Sequence, residues 1–290
     1  MDTTISFIET MRARQSVRTY ETERLKKSDI DKLTNFISED QNLTGPFGNK
    51  GQIDFIQVQN NVTDKGFKIG TYGIIKNPQA YFVGTCKNEK YALVEYAYIF
   101  HRATLYATQL GIGTCWMGGT FTRNSFEKEI QLREGEFIPC VSPLGYPKGK
   151  QRMFDKALRY VVKADNKKAW EKLFYKESFE KPLTKDDAGP LEVPMEMVRL
   201  GPSASNKQPW RLVLSADRKS CHFYIEHTPN YSSTFGYLMQ LLDMGIAMCQ
   251  FEIACQELSI DGEWLVDDPS LPLYNENTEY IVTWNLSFSQ

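Results

Sequence analysis

The clearest periodic signal in the chain lies between Lys90 and Leu110. Leu93, Ala97, Phe100, Ala103, Ala107 and Leu110 recur at steps of three and four, the spacing that gathers apolar side chains on one face of an α-helix. Gly111 and Gly113 follow and predict its end. A second long helix is predicted over Leu238–Leu258, with Leu238, Leu242, Ile246, Cys249 and Ile253 on one side. Shorter helices are predicted over Ile5–Arg12 and Leu25–Glu39. In the latter, Ser28 is the expected N-cap and Asp31 the acid that complements the helix dipole. Strand patterns occur at Asp54–Gln59, where alternation is imperfect, at Gln79–Thr85 around Ala80-Tyr81-Phe82-Val83, and at Phe137–Gly145, which leads into a turn. Leu212–Leu214 and Cys221–Ile225 read as a hairpin around Asp217–Lys219, and Tyr280–Trp284 as a terminal strand.

The two long helices end alike. Leu110-Gly111-Ile112-Gly113-Thr114-Cys115-Trp116 matches Leu258-Ser259-Ile260-Asp261-Gly262-Glu263-Trp264 in its Leu, Ile and Trp positions. Two readings stand side by side: a diverged internal duplication, or the common way in which buried helices finish. Between Trp170 and Pro194 the chain turns charged and then Gly/Pro-broken, which predicts a division into residues 1–185 and 186–290.

Composition narrows the class. With 290 residues the chain has length for a sizeable core and one or two domains. A net charge of −2 gives no mark of a bulk nucleic-acid binder. No uncharged apolar run approaches the length of a membrane span, and Met1-Asp2-Thr3-Thr4-Ile5-Ser6 carries no basic leader, so cytoplasmic residence is the expectation. The six cysteines form no CxxC pair and, with three histidines, no zinc signature; buried thiols are the expected reading.

Three stretches carry candidate chemistry. In Arg14-Gln15-Ser16-Val17-Arg18 the polar residues alternate, so an extended backbone turns two guanidiniums and a hydroxyl to one side, a set suited to a phosphate monoester. A surface arginine cluster is the plainer alternative. In Gly201-Pro202-Ser203-Ala204-Ser205-Asn206-Lys207-Gln208-Pro209-Trp210, two prolines stiffen a loop whose Ser203 and Asn206 can hydrogen-bond the edge of a heteroaromatic ring, while Trp210 is expected to pack beneath it. The alternative is a well-capped turn into the next strand. Gly118 and Gly119 allow backbone to approach a flat ligand. Lys148, Lys150 and Arg152 form a basic run, either near a phosphate or simply solvated. No GxGxxG or Walker lysine is present, Cys115 has no histidine near it in sequence, and His101 and His222 carry a structural or surface expectation.

Taken jointly, Arg14–Arg18, Gly111–Gly119 and Pro202–Trp210 resemble the FMN-dependent nitroreductase family. The resemblance implies an α+β fold with a mixed β-sheet and long central helices. It assigns the flavin phosphate and ribityl end to Arg14, Ser16 and Arg18, the neighbourhood of the isoalloxazine to Gly118 and Gly119, and a contact from the partner half to Pro202, Ser203 and Asn206. Lys150 and Arg152 match a basic pair near the phosphate only loosely. The order departs from the family pattern: the Asn-x-Gln-Pro-Trp loop normally comes early, whereas here it lies near residue 206. That implies a rearranged single chain with two nitroreductase-like halves packed as a pseudo-dimer, monomeric or dimerising further.

The implied function is transfer of hydride from NAD(P)H through FMN to a small conjugated acceptor such as a nitroaromatic or quinone. No catalytic acid, base or metal is expected from the protein, and no nucleic-acid or membrane partner. The alternative from a different class is a non-enzymatic flavin-binding or flavin-storage protein.

Overall fold

A computed structural model describes residues 6–58, 74–149, 166–231 and 235–287 of the chain. These fall into two units. The first holds residues 13–149 of that set, and the second holds 6–12 together with 166–287. The stretch 166–185, grouped with the N-terminal half in the sequence reading, lies in the second unit.

Helix α1 (Phe7–Ala13) counts with the second unit through residues 7–12. A helix start leaves backbone N–H groups without partners inside the helix. Here the Glu257 carboxylate takes them, accepting from the Phe7 N–H at 2.7 Å, the Ile8 N–H at 3.3 Å and the Ser6 hydroxyl.

The first unit continues with α2 (Lys27–Phe36), α3 (Asp40–Leu43), β1 (Gln52–Gln57), β2 (Ala80–Lys87), α4 (Lys90–Gln109), α5 (Arg123–Glu127), β3 (Glu136–Phe137) and β4 (Val141–Leu144). The expected Ser28 cap is not made. Lys26, extended at φ −62° and ψ 144°, precedes the helix, and its carbonyl accepts from Asp29 and Ile30 N–H, which leaves Ser28 inside the first turn. The strand expected over Asp54–Gln59 is shifted to Gln52–Gln57, because β1 pairs antiparallel with β2 from Gln52↔Thr85 to Gln57↔Ala80. On its other edge β2 pairs antiparallel with both β4 and β3. Every β2 residue but Lys87 is buried.

Helix α4 is not the one-sided helix its periodicity predicts. Beyond the expected stripe, Val94, Tyr96, Tyr98, Ile99 and Leu105 are also buried, as in a helix covered on several sides. Its buried Glu95 is well partnered: it accepts from Phe47 N–H at 3.1 Å, Asn49 N–H at 3.0 Å and Asn49 Nδ2 at 2.6 Å.

The second unit contains β5 (Phe174–Lys176), β6 (Ser178–Pro182), α6 (Lys185–Ala188), α7 (Glu192–Leu200), β7 (Trp210–Leu214), β8 (Ser220–Glu226), α8 (Gln240–Glu257), β9 (Gly262–Leu265) and β10 (Thr278–Leu286). Its strands form a six-stranded sheet in the order β6-β5-β7-β8-β10-β9. β5 and β7 run parallel and the other pairs antiparallel, so the sheet is mixed. The expected hairpin is β7–β8, in register from Trp210↔Ile225 to Leu214↔Cys221. Helix α8 packs against α7 and this sheet, with every residue buried except Glu252, Gln256 and Glu257. Leu238, expected on its apolar side, precedes the helix and is exposed.

The two long helices close with the same hydrogen-bond pattern. After α4, Gly111 takes φ +76°, its N–H reaches Thr108 O at 3.0 Å, and the Ile112 N–H reaches Ala107 O at 3.0 Å. After α8, Ser259 takes φ +57°, its N–H reaches Gln256 O at 3.1 Å, and the Ile260 N–H reaches Cys255 O at 2.8 Å. Both are Schellman closures, in which a left-handed residue turns two N–H groups back onto the last carbonyls.

Candidate functional site

The arginine–serine segment is fixed by its neighbour in the first unit. Ser16 forms a parallel bridge with Thr114, and the Val17 N–H donates to Thr114 O at 2.8 Å. The approach is close because residue 113 is glycine: a Cβ there would stand 2.8 Å from the Val17 side chain. The two segments have two faces. Val17, Cys115 and Met117 turn into an apolar cluster with Tyr20, Tyr81, Phe126 and Val141. Thr114 and Trp116 alternate with these and lie on the other face. There the Trp116 ring meets Phe100 at 5.0 Å and His101 at 6.0 Å, both on α4. Ser16 and Arg14 alternate with Val17 in the same way.

His101 is fully buried, which removes the surface role from its sequence reading. Burial, with the Arg14 charge beside it, holds the imidazole well below its usual range, so the ring is neutral. Thr114 is also buried. His101 Nε2, Thr114 Oγ1 and Trp116 Nε1 are buried and have no hydrogen-bond partner among the described residues. Neither Gly118 nor Gly119 needs a left-handed backbone. Gly118 O accepts from Arg123 Nη2 at 3.3 Å, which ties this bend to α5. Arg18 lies one bridge from Lys76, whose N–H donates to Arg18 O at 2.9 Å. Lys148 N–H donates to Thr19 O at 3.1 Å, so the start of the basic run lies alongside the arginine segment. Lys150 and Arg152 lie outside the described residues.

The late loop belongs to the second unit and is built from uncommon backbone. Ser205, Asn206 and Gln208 all have positive φ, at 48°, 53° and 48°. Three such non-glycine residues within four positions need strong local support. Ser203 Oγ accepts from Gln208 N–H at 2.9 Å. Asn206 Nδ2 donates to Asn166 O at 2.8 Å, and Lys167 Nζ donates to Gly201 O at 2.6 Å. The Tyr231 hydroxyl donates to Ser205 Oγ at 2.9 Å. Trp210 is fully buried, as expected of a residue beneath the loop.

From α8, buried Asp243 reaches up to the loop, and its Oδ1 accepts from the Ala204 N–H at 2.8 Å. Its Oδ2 has no hydrogen-bond partner among the described residues. Burial pushes Asp243 up to about 8, against the opposing effects of the Ala204 N–H and the Lys167 charge. This acid was missed in the sequence, although a lone carboxylate in Leu241-Leu242-Asp243-Met244-Gly245-Ile246 is the signal that marks it.

All six cysteines are free and buried, and Cys115 sits in the apolar cluster. A cavity of about 180 Å³ opens in the first unit beside Arg24, Ile30, Phe55 and Gln79, and none of the expected site residues lines it. No helix among the described residues is long and apolar enough to cross a membrane.

Residues 6–255 match the family described as "Putative TM nitroreductase". The chain therefore belongs to this nitroreductase family. Its fold is similar to the crystal structure of a "putative nitroreductase" from Thermotoga maritima, with TM-score 0.58 and 17% identity over 99% of this chain and 96% of that one. A nitroreductase family protein from Clostridium novyi aligns at TM-score 0.38 and 18% identity, over 52% of this chain and 91% of its own. An FMN-dependent nitroreductase from Clostridium difficile aligns at 0.37 and 16%, over 50% and 90%. No curated protein matches the sequence.

Proposed function

We propose that this chain is an FMN-dependent oxidoreductase that uses NAD(P)H to reduce a small conjugated acceptor such as a nitroaromatic or a quinone. Family membership supports the reaction class. The observation that carries the cofactor reading is the polar face of the first unit, where Arg14 and Ser16 adjoin buried polar atoms of Thr114, Trp116 and His101 that have no hydrogen-bond partner among the described residues. Buried polar atoms are normally paired, so such a group fits a ligand that completes it.

The residues present suit the cofactor. Arg14, Ser16 and Arg18 are assigned to its phosphate and ribityl end, where guanidinium forks match several phosphate oxygens. Lys150 and Arg152 are assigned to the same end from the family resemblance. Gly118 and Gly119 are assigned to the flat ring system, where the absence of a Cβ permits close approach. Pro202, Ser203 and Asn206 are each assigned as flavin contacts. Bound FMN supplies hydride acceptance and donation, while the protein supplies placement and exclusion of water. No protein acid or base is assigned to the hydride step: His101 is held neutral and Cys115 is buried.

The test is oxidation of NADH or NADPH by the FMN-loaded protein with a nitroaromatic or quinone present. Acceptor-dependent turnover supports the proposal. Tight FMN binding with no reduction by either nucleotide replaces it with a flavin-binding or storage role.

A further inference from the structure

Resting on the FMN reading, we infer that Thr114, Trp116 and His101 form a polyol subsite that holds the ribityl hydroxyls of the flavin. All three lie on the face that carries Ser16, opposite the Cys115 and Met117 side. Each brings one fully buried polar atom without a partner among the described residues: Thr114 Oγ1, Trp116 Nε1 and His101 Nε2. The contrast with the other half is informative. Trp264, in the matching position after α8, donates its indole N–H to Glu252 at 2.7 Å. Among the described residues Trp116 has no such carboxylate.

The donor and acceptor roles select the ligand chemistry. Thr104 Oγ1 lies 2.8 Å from His101 O and 3.2 Å from His101 Nδ1. A hydroxyl has one proton. Donated to the carbonyl, it leaves the oxygen to accept from Nδ1–H, so Nε2 of the neutral ring is a bare acceptor. Trp116 Nε1–H is a donor only, and Thr114 Oγ1 serves either way. One acceptor, one donor and one group of both kinds suit neighbouring hydroxyls, each of which gives and takes. A phosphate, which is rich in acceptors, does not suit the lone pair of His101. It suits the adjacent Arg14.

Three flavins separate the parts: FMN, riboflavin, which lacks the phosphate, and lumiflavin, which has a methyl group in place of the polyol. Binding is measured by fluorescence titration, with thermal melting as a folding check. Thr114→Val and Trp116→Phe each remove one polar atom and keep most of the packing. Each is expected to weaken FMN and riboflavin by about 5- to 10-fold and to leave lumiflavin within about twofold. Arg14→Ala is expected to weaken FMN more than riboflavin. FMN and riboflavin binding unchanged in both variants, with the wild type binding FMN, overturns the polyol subsite and leaves water as the partner of these atoms. Equal loss of all three flavins also overturns it, as a general packing effect. A wild type that binds no FMN brings down the cofactor reading itself.

Discussion

At the scale of single residues, several polar atoms and a carboxylate sit where water does not reach them. Asp243 is the sharpest case. An unfolded aspartate titrates near 4, whereas in the folded chain burial pushes it up to about 8. Between these values the folded state holds more protons, so this residue makes stability fall as pH rises through that window and level off above it. Lys167 opposes the shift, and among the described residues Tyr231 is a further titratable group beside the acid. Asp243→Asn keeps an oxygen for the Ala204 N–H and removes the ionisation. Its unfolding free energy, measured by chemical denaturation, is expected to gain on the wild type from pH 5 to 8, with a slope of at most about 1.4 kcal/mol per pH unit. A constant difference across that range would show that Asp243 does not titrate there. Arg14→Ala and Arg18→Ala are each expected to weaken FMN retention by about tenfold, the loss of one charge-assisted contact; unchanged affinity in equilibrium dialysis would place those guanidiniums elsewhere. The alternation of Arg14, Ser16 and Arg18 is legible in sequence. His101 was not, because its importance comes from burial and from the Arg14 charge that folding brings within electrostatic reach across 87 residues.

At the scale of elements, the clearest shared feature is the closure of α4 and α8. Both place a left-handed residue after the helix, glycine in one and serine in the other. A Cβ on Gly111 would meet nothing within 4 Å, so a substitution there acts through backbone conformation alone. Gly111→Ala is expected to cost about 1 kcal/mol and Ser259→Gly to gain a similar amount in chemical denaturation. Effects of the same sign for both would contradict a common closure. The long helices, β2 and the β7–β8 hairpin were readable because their apolar spacing or turn residues are local signals. Two details were not. The α2 start depends on the Lys26 carbonyl instead of a side-chain cap. The near-complete burial of α8 hides Asp243 and Gln250 among apolar neighbours, and a one-sided helix pattern does not anticipate them.

At the scale of the whole molecule, the chain holds two α+β units, and each contains a long buried helix and a sheet. The nitroreductase resemblance was legible from three separated motifs, and the family match over residues 6–255 agrees with it. The assignment of residues 166–185 was less legible. The charged, then Gly/Pro-broken stretch Trp170–Pro194 suggested a boundary after residue 185, whereas β5 lies beside β7 through parallel pairing, a long-range contact without a local sequence mark. The central claim is that this fold carries FMN as a working redox group. Its most direct test is the visible absorption spectrum of the purified protein after FMN loading and removal of free flavin, recorded before and after anaerobic addition of NADH or NADPH. The account predicts a retained flavin band that bleaches with at least one nucleotide. A colourless protein after loading would contradict it.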